Sequence, residues 1–504
     1  MNRQRKLSTF TLLIAYVYMT LPFLIFAVGW LRKRFWIPIV FIVIFSLVKM
    51  MLNQNDLWTP KLNRDTLLKL MLILLIIMIW VYYSGIGAYV FQNEDHYTRN
   101  SIFELLVAYD WPIINDTITN AELNATHTSL IYYIGFWMPA SLVGKRWGLE
   151  AGYLFQYVWA VLGIMLTYYF VCCYFRKIRI WPLFVFIFFS GLDIVGVRLT
   201  GQNLFELSNI SHLEWWAMPY QYSSMTTQLF WVFNQAISAW LCTILMMLQK
   251  NAKSIIMLWS GTLFMATFPF VGLGFICIFI CARRCIAQLR TGSDEKKSRT
   301  VLVFVKKELI TFQNFWGGGV IGIVSFLYLK GNYTMGRIMK ESSYGPCWNN
   351  NLLKYIMFIL LEIGIYAILL YRYNRKTAYY MCLCMLLIIP IIHVGETGDF
   401  CMRTSIPFLF CLMLFIIDTL QKVYDKKDVL TLAGILLALC IGAATPIHEI
   451  ARTFAYTILA VNEGTKPSCE AMDSVELLNT KHLIGNADEG FFYQYLIRRD
   501  RPVK

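Results

Sequence analysis

Apolar residues in this chain come in long, nearly unbroken runs of roughly twenty positions, separated by polar connectors in which Lys and Arg are concentrated. Runs of that length match a bilayer core of about 30 Å crossed by a helix rising about 1.5 Å per residue. They place expected spans near 10–30, 35–52, 67–90, 151–174, 180–198, 227–249, 254–268, 271–287, 314–330, 352–372, 377–396, 404–422 and 429–446, about thirteen in all. The stretch 254–287 divides at Phe268-Pro269-Phe270, where proline removes a backbone donor and ends a helix. Segment 129–147 carries a proline, glycines and Lys145-Arg146, so it suits an interfacial or re-entrant helix as well as a crossing one. The expected fold class is an all-α polytopic membrane protein, with one bundle over 1–446 and a short polar tail over 447–504.

Composition agrees. Hydrophobic residues make up 58% of the 504 positions and charged ones only 15%, against about 25% charged in soluble domains. The net charge of +15 would suit a nucleic-acid partner if it formed one patch. It sits instead in short clusters between spans, where orientation signals belong, and no nucleic-acid partner is expected. The basic start MNRQRKL precedes an apolar run too long for a signal peptide and lacks a small-x-small cleavage site, so it reads as a retained first span. Most of the thirteen cysteines, such as Cys172, Cys173, Cys277, Cys382 and Cys384, fall inside apolar runs and behave as small hydrophobes, while Cys347, Cys401 and Cys469 are placed to meet an oxidising side. No zinc-type Cys/His spacing, Walker loop, dinucleotide fingerprint, HExxH or GxSxG occurs.

The clusters also orient the bundle. Arg176-Lys177-Ile178-Arg179, Lys250 with Lys253, the stretch Arg283 to Lys307, Arg372 with Arg375-Lys376, and Lys422 with Lys426-Lys427 fall in alternate connectors, which the positive-inside rule makes cytoplasmic. Loops 91–150, 199–226, 331–351 and 397–403 and the tail are then extracytoplasmic, and sequons at Asn115, Asn124, Asn209 and Asn332 all fall in them. Arg32-Lys33-Arg34 disagrees, because it is external if 10–30 and 35–52 both cross.

Three of these loops gather ionisable groups. Glu94 and Asp95 open the first, just past the end of a span, where a carboxylate is costly unless solvated or paired. A helix over 95–109 puts Asp95 and Arg99 at i and i+4, a pairing that keeps the carboxylate ionised, as a general base requires. The second loop, 208–235, holds His212, Glu214, Trp215, Trp216, Tyr220 and Tyr222, followed by Gln228, Asn234 and Gln235. Its aromatics suit a headgroup belt, or they stack on sugar rings while the amides bond hydroxyls. The third packs His393, Glu396, Asp399 and Arg403 into one short turn, as an ion-paired turn or as a site whose Arg403 fork grips phosphate. Arg198, Arg337, Lys340 and Arg452 read as interface anchors.

The segments QNEDHYTRNSIFELLVAYDWPI, FSGLDIVGV, PYQYSSMTTQLFWVFNQAISAWL and GDFCMRTSIPFLF, with the early acidic pair in a large first external loop, resemble the C-type glycosyltransferase superfamily, the GT-C fold. The resemblance implies a GT-C-like bundle that moves a sugar, with inversion, from a polyprenyl-phosphate-linked donor to a cell-envelope glycan or lipid acceptor at the extracytoplasmic face of a bacterial inner membrane. It implies Asp95 as catalytic base with Glu94 as substitute, Arg99 and Arg403, with His96, at the donor phosphate, and His212, Glu214, Trp215, Tyr220, Gln228, Glu396 and Asp399 around the substrate. In some branches the acidic pair instead holds a divalent cation, Mg or Mn. Members often carry a large soluble C-terminal domain, whereas this chain continues for only about sixty residues after its last expected span. Membrane lipids are the remaining partner. Asp95, His212, Asp399 and Arg403 are expected to line one cavity open outward and sideways to lipid. The rival readings are a transporter or flippase of lipid-linked saccharides, which calls for ionisable residues near mid-bilayer such as Glu362, Asp418 and Asp193, and a non-catalytic scaffold or receptor.

Overall fold

The computed structural model describes residues 3–52, 57–115, 125–203, 206–208, 211–290, 297–334, 352–394 and 398–498. Among them the chain is nearly all helix, and ten helices are long and apolar enough to cross a membrane, or eleven if a pair bent by 65° (Thr300–Leu309 with Gln313–Leu329) is one span. Thirteen spans are therefore not reached. Ile255–Leu263 is a nine-residue helix, and Thr377–Ile391 falls below crossing length. Segment 129–147 resolves into a strand end, a 3₁₀ turn and the ten-residue helix Met138–Trp147, too short to cross. The last apolar stretch, Val429–Asn462, runs past the boundary expected at 446.

The helix Met225–Leu248 is the hub. Its apolar window is entirely buried, it packs against Leu149–Tyr174, Thr267–Arg290 and Ile406–Lys426 among other helices, and Ser224 caps it by accepting from the Thr227 amide at 2.9 Å. Outer helices instead present large apolar side chains such as Phe41, Met71, Ile278 and Leu437 outward, as a lipid-facing surface must. At Val232 the hub leaves helical geometry. There the Phe230 carbonyl accepts from Asn93 Nδ2 at 2.8 Å and His96 Nε2 at 3.2 Å, which ties the kink to the first large loop.

Three short antiparallel strands close that end of the bundle: β1 (Ile114–Asn115), β2 (Thr128–Leu130) and β3 (Ile484–Asn486), in the order β1-β2-β3. β3 belongs to the tail and pairs Leu130 with Ile484 and Thr128 with Asn486. A Cβ at Gly485 would lie 2.0 Å from the Gly331 carbonyl oxygen, so only glycine admits this crossing. Beyond the strand, Asp488 accepts from the amides of Thr126 (2.9 Å) and His127 (3.0 Å), from the Thr126 hydroxyl (2.7 Å), and from the His127 ring (2.5 Å). The Arg32 amide donates to Leu496 and its Nε to the Ile497 carbonyl at 2.9 Å. Arg32-Lys33-Arg34 therefore lies at the same end as loop 91–150 and the tail.

Candidate active site

Asp95 begins the helix Asp95–Ala108, with the exposed Glu94 just before it. One turn on, Arg99 Nη2 donates to Asp95 Oδ2 at 2.6 Å, while the carboxylate keeps 41% of its side chain exposed and the guanidinium only 7%. Burial would raise the Asp95 carboxyl. The charges of Arg99 and then Arg403 outweigh it and hold the group below the usual carboxylate range.

Arg403 comes from the six-residue helix Asp399–Thr404. Its Nη2 bonds Asp399 Oδ1 at 3.1 Å and its Nη1 donates to the Tyr133 hydroxyl at 2.8 Å. The Tyr132 hydroxyl donates in turn to Tyr133, and the two rings lie 3.7 Å apart. Burial disfavours the Arg403 charge, which Tyr133, Asp399, Tyr132 and Asp95 together secure. His482 of the tail sits in the same field. Burial, then Arg403, lower its ring below the usual histidine value, with Asp399 and Asp95 opposing.

Two donors in this cluster are left over. Arg99 Nη1 and Arg403 Nε are buried and bond nothing in the protein. A buried unsatisfied group costs about 1–3 kcal/mol, more when charged, so two in one cluster point to a missing acceptor.

The expected residues divide. Asp95, Arg99, Asp399 and Arg403 come together, and the charge of Asp95 reaches His212, which stands 4.4 Å from the Trp231 ring and 5.3 Å from the half-buried Trp215. His96 is engaged within the protein. Its Nε2 donates to Phe230 and its Nδ1 accepts from Gln92 Nε2 at 3.2 Å, while burial and the Arg99 charge push it down to about 3 and leave it neutral. Glu214 accepts from Gln221 (2.9 Å), Ser223 (2.7 Å) and the Ser224 amide (2.9 Å), and burial with nearby Asp193 pushes it up to about 8, so it anchors its own loop. Tyr220 packs on Tyr355 and Phe358. Gln228 spends both amide atoms on the Ser223 carbonyl (2.8 Å) and the Trp240 indole (3.0 Å). All three side chains are engaged with neighbours inside the protein. Glu396 lies outside the described residues.

Several site residues escaped the sequence reading. Tyr132 and Tyr133 lie in segment 129–147, whose pattern suits more than one kind of helix, and His482 lies in the short polar tail. Arg452, expected as an interface anchor, is 1% exposed and paired with Glu449 inside the bundle. The i, i+3 spacing of Glu449 and Arg452 was the one available signal.

A divalent cation does not fit the acidic pair. Asp95 is committed to one guanidinium and faces another, and Glu94 is exposed to solvent. Among the described residues no three His, Cys, Asp or Glu converge as ligands.

No family model matches the chain, and neither a curated protein nor a solved structure matches it.

Proposed function

We propose that this chain is a membrane glycosyltransferase that moves a sugar from a polyprenyl-phosphate-linked donor to a cell-envelope glycan or lipid acceptor at the extracytoplasmic face. One observation carries the reading: Arg99 and Arg403 each keep a buried N–H without a hydrogen bond in the protein, in a cluster that also holds an ionised carboxylate, Asp95. Asp95 takes the proton of the acceptor hydroxyl. The freed oxygen lone pair forms a bond to the anomeric carbon as the bond from that carbon to the phosphate oxygen breaks, and the electron pair leaves on the lipid phosphate. Arg99 Nη1 and Arg403 Nε then bond the departing phosphate, a preorganised term worth about 10²–10³ in rate per donor in comparable sites. Single displacement inverts the anomeric centre. The test is turnover of polyprenyl-phosphate-linked sugars in membranes carrying the full chain. Transfer that survives both Asp95→Asn and Arg403→Ala would remove the assignment.

A second reading, a transporter or flippase of lipid-linked saccharides, draws on the carboxylates buried inside the bundle. Asp193 accepts from Ser190 (2.9 Å), Thr445 (2.8 Å) and Trp216 (3.3 Å), and the same indole reaches Glu362 at 3.3 Å. Proteoliposomes separate the two: Glu362→Gln abolishing the movement of labelled lipid-linked sugar between leaflets, with transfer chemistry absent, would favour transport.

A further inference from the structure

Beside the Asp95 cluster, but deeper, lies a second polar group that the mechanism above does not use. Glu449, fully buried, accepts from the Trp231 indole at 2.7 Å and from Arg452 Nη2 through the same oxygen, Oε2. Its other oxygen, Oε1, faces His212 Nδ1 at 3.7 Å and His448 Nδ1 at 3.9 Å, both beyond hydrogen-bonding distance. Glu449 Oε1, His212 Nδ1, both ring nitrogens of His448 and Arg452 Nε are all buried without a well-formed hydrogen bond in the protein, the two histidines standing only at ion-pair range of Oε1. Few native interiors leave so many polar atoms unmatched in one place.

The chemistry of the missing partner follows from charge. Arg452 already neutralises Glu449, and its guanidinium also lies 5.1 Å over the Trp231 ring, so a cation placed there would meet like charge. An anion would meet the carboxylate. What fits is a neutral group able both to donate to Glu449 Oε1 and to accept from Arg452 Nε or a histidine N–H. Hydroxyls do both, and the half-buried ring of Trp215 beside His212 suits the apolar face of a sugar ring. Position agrees: Asn93, two residues before Asp95, bonds the carbonyl of Phe230, the neighbour of Trp231, and the Asp95 charge is felt at His212.

We infer that Trp231, His212, His448, Glu449 and Arg452 form the saccharide subsite of this protein, binding ring hydroxyls of the sugar whose linkage is exchanged at Asp95. The inference rests on the proposed transferase reading and names the part of the substrate that reading leaves unplaced. The sugar of the donor and that of the acceptor share this chemistry, and binding measurements tell them apart.

The experiment uses the purified full chain and three soluble probes: citronellyl phosphate, citronellyl phosphoryl hexoses, and methyl hexosides added to protein already loaded with citronellyl phosphate. A donor-sugar site gives the phosphoryl hexose about tenfold tighter binding than the bare phosphate. An acceptor-sugar site gives saturable methyl hexoside binding instead. In either case Glu449→Gln and His448→Gln erase the gain while binding of citronellyl phosphate stays within about twofold. No sugar-dependent gain in the unaltered protein, or a gain that survives both substitutions, overturns the inference, leaving the nest to internal water. Absence of citronellyl phosphate binding, or binding left unchanged by Arg99→Ala and Arg403→Ala, overturns the transferase reading itself. If Glu449→Gln lowers the melting temperature, Trp231→Phe serves as the second variant: it removes the indole donor and keeps the ring.

Discussion

Asp95 and Arg403 start from loops at opposite ends of the sequence, and each bears on the ionisation of the other. The Arg403 guanidinium helps hold the Asp95 carboxyl below its usual range, and Asp95 is one of the groups that secure the Arg403 charge against burial. Removing either partner should therefore damage more than one contact. Asp95→Asn, nearly isosteric and uncharged, is expected to lower sugar transfer by about 10²–10⁴ while the chain still inserts and folds. Arg403→Lys keeps a charge but loses the planar fork that bonds Asp399 and Tyr133 at once. It should fall short of wild type by about tenfold or more in kcat/KM, measured in the same membranes.

The pH dependence carries a sign. In the proposed mechanism transfer requires the ionised form of Asp95, and its carboxyl is depressed, so activity is expected to be full above the ordinary carboxylate range and lost only as pH falls through the lowered value. Arg99→Ala removes the nearer of the two depressing charges and leaves burial opposed mainly by Arg403. The acid limb of kcat/KM should move to higher pH in that variant. An unmoved limb would show that another group titrates there.

How far the sequence reveals this site depends on whether a residue's partners are local. The Asp95–Arg99 and Asp399–Arg403 pairs are i, i+4 contacts, and helical spacing alone predicts them. The long apolar runs likewise reveal the class of fold, since a span is set by its own twenty residues. What spacing cannot supply is the direction of a side chain once distant segments pack. His96 neighbours Asp95 in sequence, yet it turns inward because the kink at Val232 offers a carbonyl at Phe230. Glu449 lies in an apolar helix whose length hides it, and only the folded bundle brings it to His212. The overcount of spans has a similar origin. Hydropathy marks 254–268 and 377–396 as apolar, but buried protein and lipid are equally good surroundings for such residues.

His96 offers a test of that distinction. If the ring only braces the kink, His96→Gln retains an amide donor toward Phe230 and costs stability, about 1–3 kcal/mol for an imperfect buried bond. Thermal unfolding should register the loss, while binding of isoprenyl phosphate stays unchanged. A weakened phosphate affinity with an unchanged melting temperature would return His96 to the anion site.

The tail is held to the first loop along its length, by Cys469 at Gln92 and Asn100, by Met472 at Ser101 and by the pairing of β3 with β2, and Asp488 adds a cluster of hydrogen bonds just beyond that strand. Burial would raise its carboxyl, but four hydrogen bonds from Thr126 and His127 outweigh that and bring it down to about 2. A depressed carboxyl stabilises the docked tail fully above its unfolded value of about 4 and loses that contribution as pH falls toward about 2. Asp488 is a third exposed, so solvent screening keeps the gain to about 1 kcal/mol. Asp488→Ala should then expose the tail to limited proteolysis between β3 and the end of the chain, while the transmembrane core stays resistant. Gly485→Ala should loosen the same segment more strongly, because the added carbon collides with the Gly331 carbonyl. Since His482 enters the Asp95 cluster on this strap, both variants are also expected to lower transfer. A tail cut by protease without any loss of transfer would place His482 outside the chemistry.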